Sequence, residues 1–465
     1  MTLLTRSGAT ELAQVALDVA RKAGADQAEV VIMTENAGLT RYAHNRVHQH
    51  VAGQNAEVRV RAVVEGDRVA VATGNQLTNE GLITVAGRAV SMAKCSPHDA
   101  DFPGLPSPPG GSYVDQTTFY ESTARVGPNE RAETVKEIVT LLAGAGADGY
   151  GAVTSGATEL VVANSEGVHA YQPFTDAWLS VIAERPRSDG TLPATGYASS
   201  SHRDWTEIDA ESAALHALAK ADPDPPREIS PGRYTVVLEE EAVADMLAFL
   251  GATALNGLDY LEGRSPYTGR LGQRPYPATI TLRDDPTDAR GANLSFDFEG
   301  VPKAPLTLIR EGALEQVVFD TAAAYRAHER STGHALPAPN PHGPVPLNLV
   351  LNPGHTGRHE LLAGIEHGLL ITRFHYTNEV DPARTLLTGT TRDGTFLVER
   401  GEVVAPVGNL RWVQSVEETL KGTLAVGDTP KLISEGPGYG IRFFTGVIAP
   451  ALLVEGFQIT GGATG

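Results

Sequence analysis

Between Asp222 and Gly232 the chain reads Asp-Pro-Asp-Pro-Pro-Arg-Glu-Ile-Ser-Pro-Gly. Four prolines in so short a stretch fix φ and remove backbone donors, so neither a helix nor a central strand can run through it. A chain of 465 residues is thereby cut near its middle. Each part is long enough to bury its own core. The expectation is an N-terminal domain over 1–225 and a C-terminal domain over 226–465.

The first part mixes two periodicities. Leu12, Val15, Ala16, Val19, Ala20 and Ala23 recur at helical spacing and Gly24 ends the run; Leu82, Val85, Ala86, Ala89 and Val90 repeat the pattern over 78–94. Between them, strands are expected at 28–34, 39–43 and 57–64, the last turning through Glu65-Gly66-Asp67 into 68–72 as a hairpin. Further helices are predicted at 129–143 and 208–220, with strands at 158–163, 167–172 and 176–184. This is α+β: an antiparallel sheet with helices on one side. After the prolines, a strand at 234–238 and a helix over 239–255 open a turn-dense region. There strands are expected at 278–283, 306–310, 313–318, 347–351, 368–375, 395–399, 402–404 and 440–460. That pattern predicts a β-rich domain forming a barrel-like or wrapped sheet.

Charge and cysteine usage remove several classes of function. A formal charge of −19 repels DNA and anionic membrane surfaces, and no Lys/Arg run exceeds two residues, so neither nucleic acid nor a membrane is expected as a partner. Cys95 is the single cysteine, which excludes intrachain disulfides, Cys-based zinc fingers and iron–sulfur clusters. It is read as a small buried residue at a helix end. The start lacks a signal-peptide pattern and no apolar run approaches a membrane span, so a cytoplasmic location is expected.

Three strings invite chemistry. Gly144-Ala145-Gly146-Ala147-Asp148-Gly149 matches the dinucleotide fingerprint in letters, but a helix precedes it and a strand follows, the reverse of what places a helix N-terminus against a pyrophosphate. It reads as a helix end, and Gly436-Pro437-Gly438-Tyr439-Gly440 as a turn. His359-Glu360 with His367 cannot bind zinc from one helix, because eight residues span about 12 Å. His44, His48 and His50 are the remaining metal candidate, since even spacing on a strand would put all three on one face; with no convergent acid and with Arg41 and Arg46 flanking them, an exposed strand face is the better account.

Several short strings, in order, resemble the TldD/PmbA family, once called modulators of DNA gyrase and regarded as metalloprotease-related. They are Thr40-Arg41-Tyr42, Ala163-Asn164-Ser165-Glu166-Gly167, Phe296-Asp297-Phe298-Glu299-Gly300-Val301-Pro302, Ser331-Thr332-Gly333-His334, Gly368-Leu369-Leu370-Ile371-Thr372, and Leu387-Thr388-Gly389 leading to Phe396–Glu402. The resemblance implies a His-Glu-x-x-x-His zinc helix at the start of the second domain and a C-terminal cysteine in TldD-type members. Here the matching helix, Glu239 to Gly257, contains no histidine, none occurs between His216 and His328, and the C-terminal region has no cysteine.

What the resemblance then implies is a PmbA/TldE-type chain: a non-catalytic subunit of a heteromeric metalloprotease acting on unfolded peptides or peptide precursors. No catalytic residue and no cofactor are assigned to this chain, zinc being expected in a TldD-type partner; self-association is the alternative assembly. Asn256, Tyr260, Thr332 and His334 are candidates for lining a peptide cleft. Two other functions fit the residues: a stand-alone metallopeptidase using His44, His48 and His50, and a scaffold or binding protein in peptide maturation.

Overall fold

The computed structural model describes residues 4–108, 113–434, 436 and 440–463. Pro437, Gly438 and Tyr439 of the glycine-rich string lie outside the described residues, as do 109–112 of the proline-rich connection after Cys95. Before residue 222 the elements are α1 (Arg6–Lys22), β1 (Gln27–Ala43), β2 (Arg46–Val64), β3 (Arg68–Gly74), α2 (Asn79–Ala93), α3 (Glu121–Ala124), α4 (Pro128–Gly144), β4 (Asp148–Asn164), β5 (His169–Arg185), β6 (Ala194–His202) and α5 (Ala210–Lys220). The six strands form one antiparallel sheet in the order β3-β2-β1-β4-β5-β6.

The strands are much longer than the sequence pattern suggests. β1 runs unbroken where two strands were expected, because Gly38 interrupts the apolar pattern without ending the strand. A side chain there would collide with the Arg131 guanidinium, which crosses β1 to reach Thr40 and Ser155. β5 likewise joins 167–172 to 176–184 through Pro173. Proline is tolerated because β6 pairs only with 177–185, leaving Pro173 on an open edge. Thr118 covers that edge, donating to Pro173 O at 2.8 Å.

All four long helices lie on one face of this sheet. Even residues of β1 and odd residues of β4 and β5 meet α1 and α2 at one end, and α4 and α5 at the other. The opposite face, Val31, Met33, Leu160, Val162 and Phe174, packs on Leu294, Phe296, Phe298 and Phe444 from beyond the prolines. Arg442 fastens this joint: its buried guanidinium pairs with Asp176 and donates to Thr154 Oγ1 at 2.7 Å, and its backbone N–H meets Glu35.

The second part contains β7 (Gly232–Leu238), α6 (Glu240–Thr253), α7 (Gly257–Leu261), β8 (Leu282–Asp284), β9 (Leu306–Arg310), β10 (Ala313–Leu314), α8 (Thr321–Ala327), β11 (Leu349–Leu351), α9 (Arg358–Ala363), β12 (His367–Ile371), β13 (Phe374–Asp381), β14 (Leu386–Thr391), β15 (Thr395–Glu399), β16 (Glu402–Val407), β17 (Leu410–Ser415), α10 (Val416–Lys421), β18 (Thr423–Val426), β19 (Lys431–Ile433), β20 (Val447–Ala449) and β21 (Leu452–Gly462). A large curled sheet runs β13-β14-β17-β21-β7-β12-β15-β16, with β18 also on β21, and a smaller one runs β10-β9-β8-β11-β20-β19. α6 is held between them: Val243, Met246, Leu247 and Leu250 enter the core shared by both sheets. The expected strands at 278–283 and 313–318 shrink to short ladders, and 440–460 splits into β20 and β21 around Pro450. Among the described residues no helix is long and apolar enough to cross a membrane.

Candidate functional site

α6 has a second face. Glu241, Ala244, Asp245, Ala248 and Phe249 recur at i, i+3, i+4, i+7 and i+8, so they form one stripe. That stripe floors a cavity of about 870 Å³ whose walls are Leu347, Phe443, Tyr197 and the start of β13 with the residue before it, Arg373 to Thr377. The volume is in the range of ligand sites. Apolar and charged groups alternate around it. Arg373 stacks on the Tyr197 ring, 4.0 Å to its centroid, and faces Asp393 at 3.1 Å. Burial, with Arg392 and Arg373 beside it, lowers the His375 pKa and favours the neutral imidazole. Asp245 accepts from the Thr377 hydroxyl at 2.5 Å.

Below the stripe, the first turn of α6 and its cap bring Glu239, Glu240 and Glu241 together, where the helix dipole favours negative charge. Burial would raise the Glu239 carboxyl, but Lys220 at 2.9 Å and Arg358 override it and hold it near 2. Lys431 lies 3.6 Å from Glu240. The three glutamates are the one group of His, Cys, Asp or Glu side chains among the described residues whose ligand atoms converge within 4.8 Å. Zinc does not fit this set: it offers hard carboxylates with no imidazole or thiolate, and three cations already face it.

The other predicted site residues lie elsewhere. His44 sits in the β1–β2 turn with φ 49°, its Nδ1 2.8 Å from Tyr150 Oη and 3.3 Å from Asp148. His48 and His50 are on β2, and His50 Nδ1 meets Thr40 Oγ1 at 2.9 Å. The even-spacing expectation fails for His44 because a turn residue in the left-handed region does not follow strand alternation, and the three imidazoles form no converging group. Cys95 is exposed rather than buried, since α2 ends at Ala93 and the chain leaves the helix–sheet interface there. His359 is on α9 whereas His367 begins β12.

The candidate cleft residues line neither the α6 cavity nor the one of about 760 Å³ beside Tyr113 and His169. Asn256 is buried, capping α7 by accepting from Leu258 and Asp259 N–H and donating to Ala252 O and His342 O; Tyr260 packs against the second core. Thr332 and His334 belong to a sealed polar cluster. His334 Nδ1 lies 2.9 Å from Thr332 Oγ1, and Nε2 donates to Asp284 at 3.0 Å. Asp284 also accepts the Asn348 N–H at 2.7 Å and faces Lys303 Nζ at 3.7 Å, both charged side chains fully buried. Burial opposes the Asp284 charge, yet Lys303, His334 and Asn348 pull its pKa below the usual carboxylate range. The cavity stripe on α6 went unremarked in the sequence, although its i, i+3, i+4 spacing of small and acidic residues was there to be read.

Residues 231–461 match the model of the PmbA/TldA metallopeptidase C-terminal domain. The chain belongs to the TldD/PmbA family. Relatives include a metalloprotease of Methanothermobacter thermautotrophicus, 29% identical over 217 residues that cover 46% of each chain. A metalloprotease TldD homolog of Buchnera aphidicola is 26% identical over 243 residues, 50% of each. The chain thus spans about half the length of the curated relatives it matches. The fold extends further: TldE from Thermococcus kodakarensis superposes with a TM-score of 0.86 at 20% identity, covering 97% of this chain and all of that one. In this TldD/PmbA member, α6 is the first helix of the matched region.

Proposed function

We propose that the chain is a PmbA/TldE-type, non-catalytic subunit of a heteromeric metallopeptidase, contributing walls to a chamber in which a TldD-type partner holds zinc and cuts unfolded peptides. The observation that carries this reading is the α6 stripe. The first helix of the metallopeptidase-like region floors a large cavity, yet presents Ala244, Asp245, Ala248 and Phe249 to it where metal ligands would be needed. Water activation at neutral pH needs an ion that lowers the pKa of bound water from 15.7 to about 7. The cavity offers one imidazole, His375, and two carboxyl groups, Glu241 and Asp245, the second accepting from the Thr377 hydroxyl. What it can do is bind. Phe249, Leu347 and Phe443 accept apolar side chains, while Arg373 offers a positive charge and Glu241 a carboxyl group, its pKa raised by burial, to an extended polypeptide.

The chain alone is expected to hydrolyse neither casein nor short peptides above background, with or without added zinc, whereas mixing it with a TldD-type subunit yields chelator-sensitive hydrolysis. Chelator-sensitive cleavage by the purified chain alone, lost on His48→Ala, would instead establish the relocated-metal alternative.

A further inference from the structure

The α6 cavity carries its charge unevenly. Arg373, just before β13, and Arg392, in the β14–β15 turn, share one buried carboxylate, Asp393, at 3.1 Å and 4.0 Å. Two cations against one carboxylate leave this wall positive in a chain whose formal charge is −19. Stacking on Tyr197, rather than aligned hydrogen bonds, holds the Arg373 guanidinium. Asp393 Oδ2 has no hydrogen-bond donor and Arg373 Nε no acceptor among the described residues, although Nη2 and Oδ2 are close. A guanidinium with donors left over is a carboxylate receptor, because its planar fork donates to both oxygens at once.

His375 adds a donor to the same wall. Arg392 Nη1 lies 3.4 Å from His375 Nδ1, and an arginine can only donate, so Nδ1 accepts and the neutral imidazole carries its proton on Nε2. The lowered pKa of this ring has burial as its first cause and the two arginines as the next, as a positive local potential requires. The cavity's carboxyl groups do less for a cation. Burial raises the Glu241 pKa, with Glu239 and Glu240 adding to the rise and Lys220 opposing it, and Asp245 already accepts from the Thr377 hydroxyl. Beside these groups stands a fixed apolar wall. The Phe443 ring is held by those of Phe174 and Phe298, at 5.8 Å and 5.2 Å between centroids, and Phe249 and Leu347 complete the surface.

We propose that the α6 cavity takes the carboxyl end of a polypeptide, its terminal carboxylate on Arg373 and His375 and its last side chain, large and apolar, against Phe249, Leu347 and Phe443. This rests on the reading of the cavity as a polypeptide-binding wall, but requires no hydrolysis. A terminal carboxylate and the last side chain branch from one carbon, so together they reach charged and apolar walls that adjoin. An aspartate or glutamate within a chain brings the charge without the apolar group. Long-range repulsion from so acidic a chain works against any anionic ligand, so a preference for the carboxylate can arise only from the groups at the wall.

Fluorescence anisotropy on the full-length chain tests this with short, N-terminally labelled peptides: one ending in phenylalanine as the free acid, the same peptide as its amide, and an amide with an aspartate in mid-chain. The free acid is expected to bind at least about tenfold tighter than either amide. Arg373→Gln should remove that preference and Arg392→Gln should reduce it, circular dichroism confirming that each variant is folded. Arg125→Gln, which removes an equal charge from an exposed ion pair with Glu121, should leave it intact. Equal binding of acid and amide, an aspartate peptide that binds as tightly as the free acid, or a preference that survives both Arg373→Gln and Arg392→Gln overturns the proposal and leaves the polypeptide wall standing. If no peptide binds, both fall.

Discussion

Two polar clusters lie in the second half of this chain and treat charge in opposite ways. Around α6, Glu239, Glu240 and Glu241 face Lys220, Arg358 and Lys431 beside an open cavity, where some of the cations remain half-exposed and water can screen what the pairs leave over. Around Asp284, one carboxylate holds Lys303 and His334 with no exposure at all, and Lys303 Nζ has no hydrogen-bond acceptor within reach among the described residues. The open cluster can change partners, whereas the sealed one has a single arrangement. The strings that mark the family follow the same division: Phe296–Pro302 supplies the core joint next to Lys303, and Ser331–His334 supplies the sealed cluster. Neither reaches the cavity. Sequence likeness here reports how the chain is held together more than what it binds.

On that division, the largest effect on stability should come from Asp284. Asp284→Ala leaves the Lys303 charge without a counter-ion and the His334 N–H without an acceptor, and removal of one partner of a buried pair costs about 3–5 kcal/mol. Urea unfolding followed by fluorescence should show the midpoint falling by that equivalent with its slope unchanged. A loss under about 1 kcal/mol would mean that water reaches the cluster. Because Asp284 has a depressed pKa, its contribution is present above the usual carboxylate range and is lost as pH falls toward its folded value.

The joint between the two parts should respond to pH with the opposite sign. Glu29, buried beside Arg61 at 2.7 Å, is raised to about 7 by burial and by Glu299, against the pull of Arg61. Unfolded, it releases its proton near 4.3. The folded chain therefore binds more protons between those values, so stability contributed here is complete below about pH 4 and is lost as pH rises through about 7. Glu29→Gln should flatten that decline in melting temperature between pH 5 and pH 8, and an unchanged slope would assign the decline to Asp297, also raised to about 7 by burial and Glu299.

The smallest effect is expected on the cavity floor. Ala248→Phe adds bulk to an exposed position on α6 and should shift stability by no more than about 0.5 kcal/mol. In a mixture with a catalytic subunit it should nonetheless slow peptide hydrolysis by narrowing the chamber. A large stability loss with no effect on hydrolysis would make the stripe a packing surface instead.

Much of the fold was legible. Helical spacing located α2, α4, α5 and α6 to within two residues and α1 except for its first turn, which begins four residues earlier than the apolar pattern shows, and placing the helices on one side of the first sheet followed from alternation. The lengths of β1 and β5 were not legible, because Gly38 and Pro173 look like breaks until one knows that Arg131 crosses at the first and that β6 stops short of the second. The β13–β14 hairpin and β17 were missed: β13 and β14 carry Thr, Asn and charged residues and the bulges in β13 break what alternation remains, while β17, Leu-Arg-Trp-Val-Gln-Ser, offers only three apolar residues in six. Of the site, the sequence could show that α6 lacks histidine, but not which of its faces meets open space.

Arg442 also sets an order of events during synthesis. The face of the first sheet carrying Val31, Met33, Leu160, Val162 and Phe174 is complete once β5 has left the ribosome, but the phenylalanines that cover it come from 296–298 and 443–444, and the arginine that pins it comes with the latter. At roughly 5–20 residues per second, the sheet must wait tens of seconds for its cover. Throughout that interval an apolar β surface faces the cytosol of whatever cell makes it, a natural client for chaperones. Truncation shortly before residue 442 should therefore yield a chain that aggregates rather than a smaller folded protein.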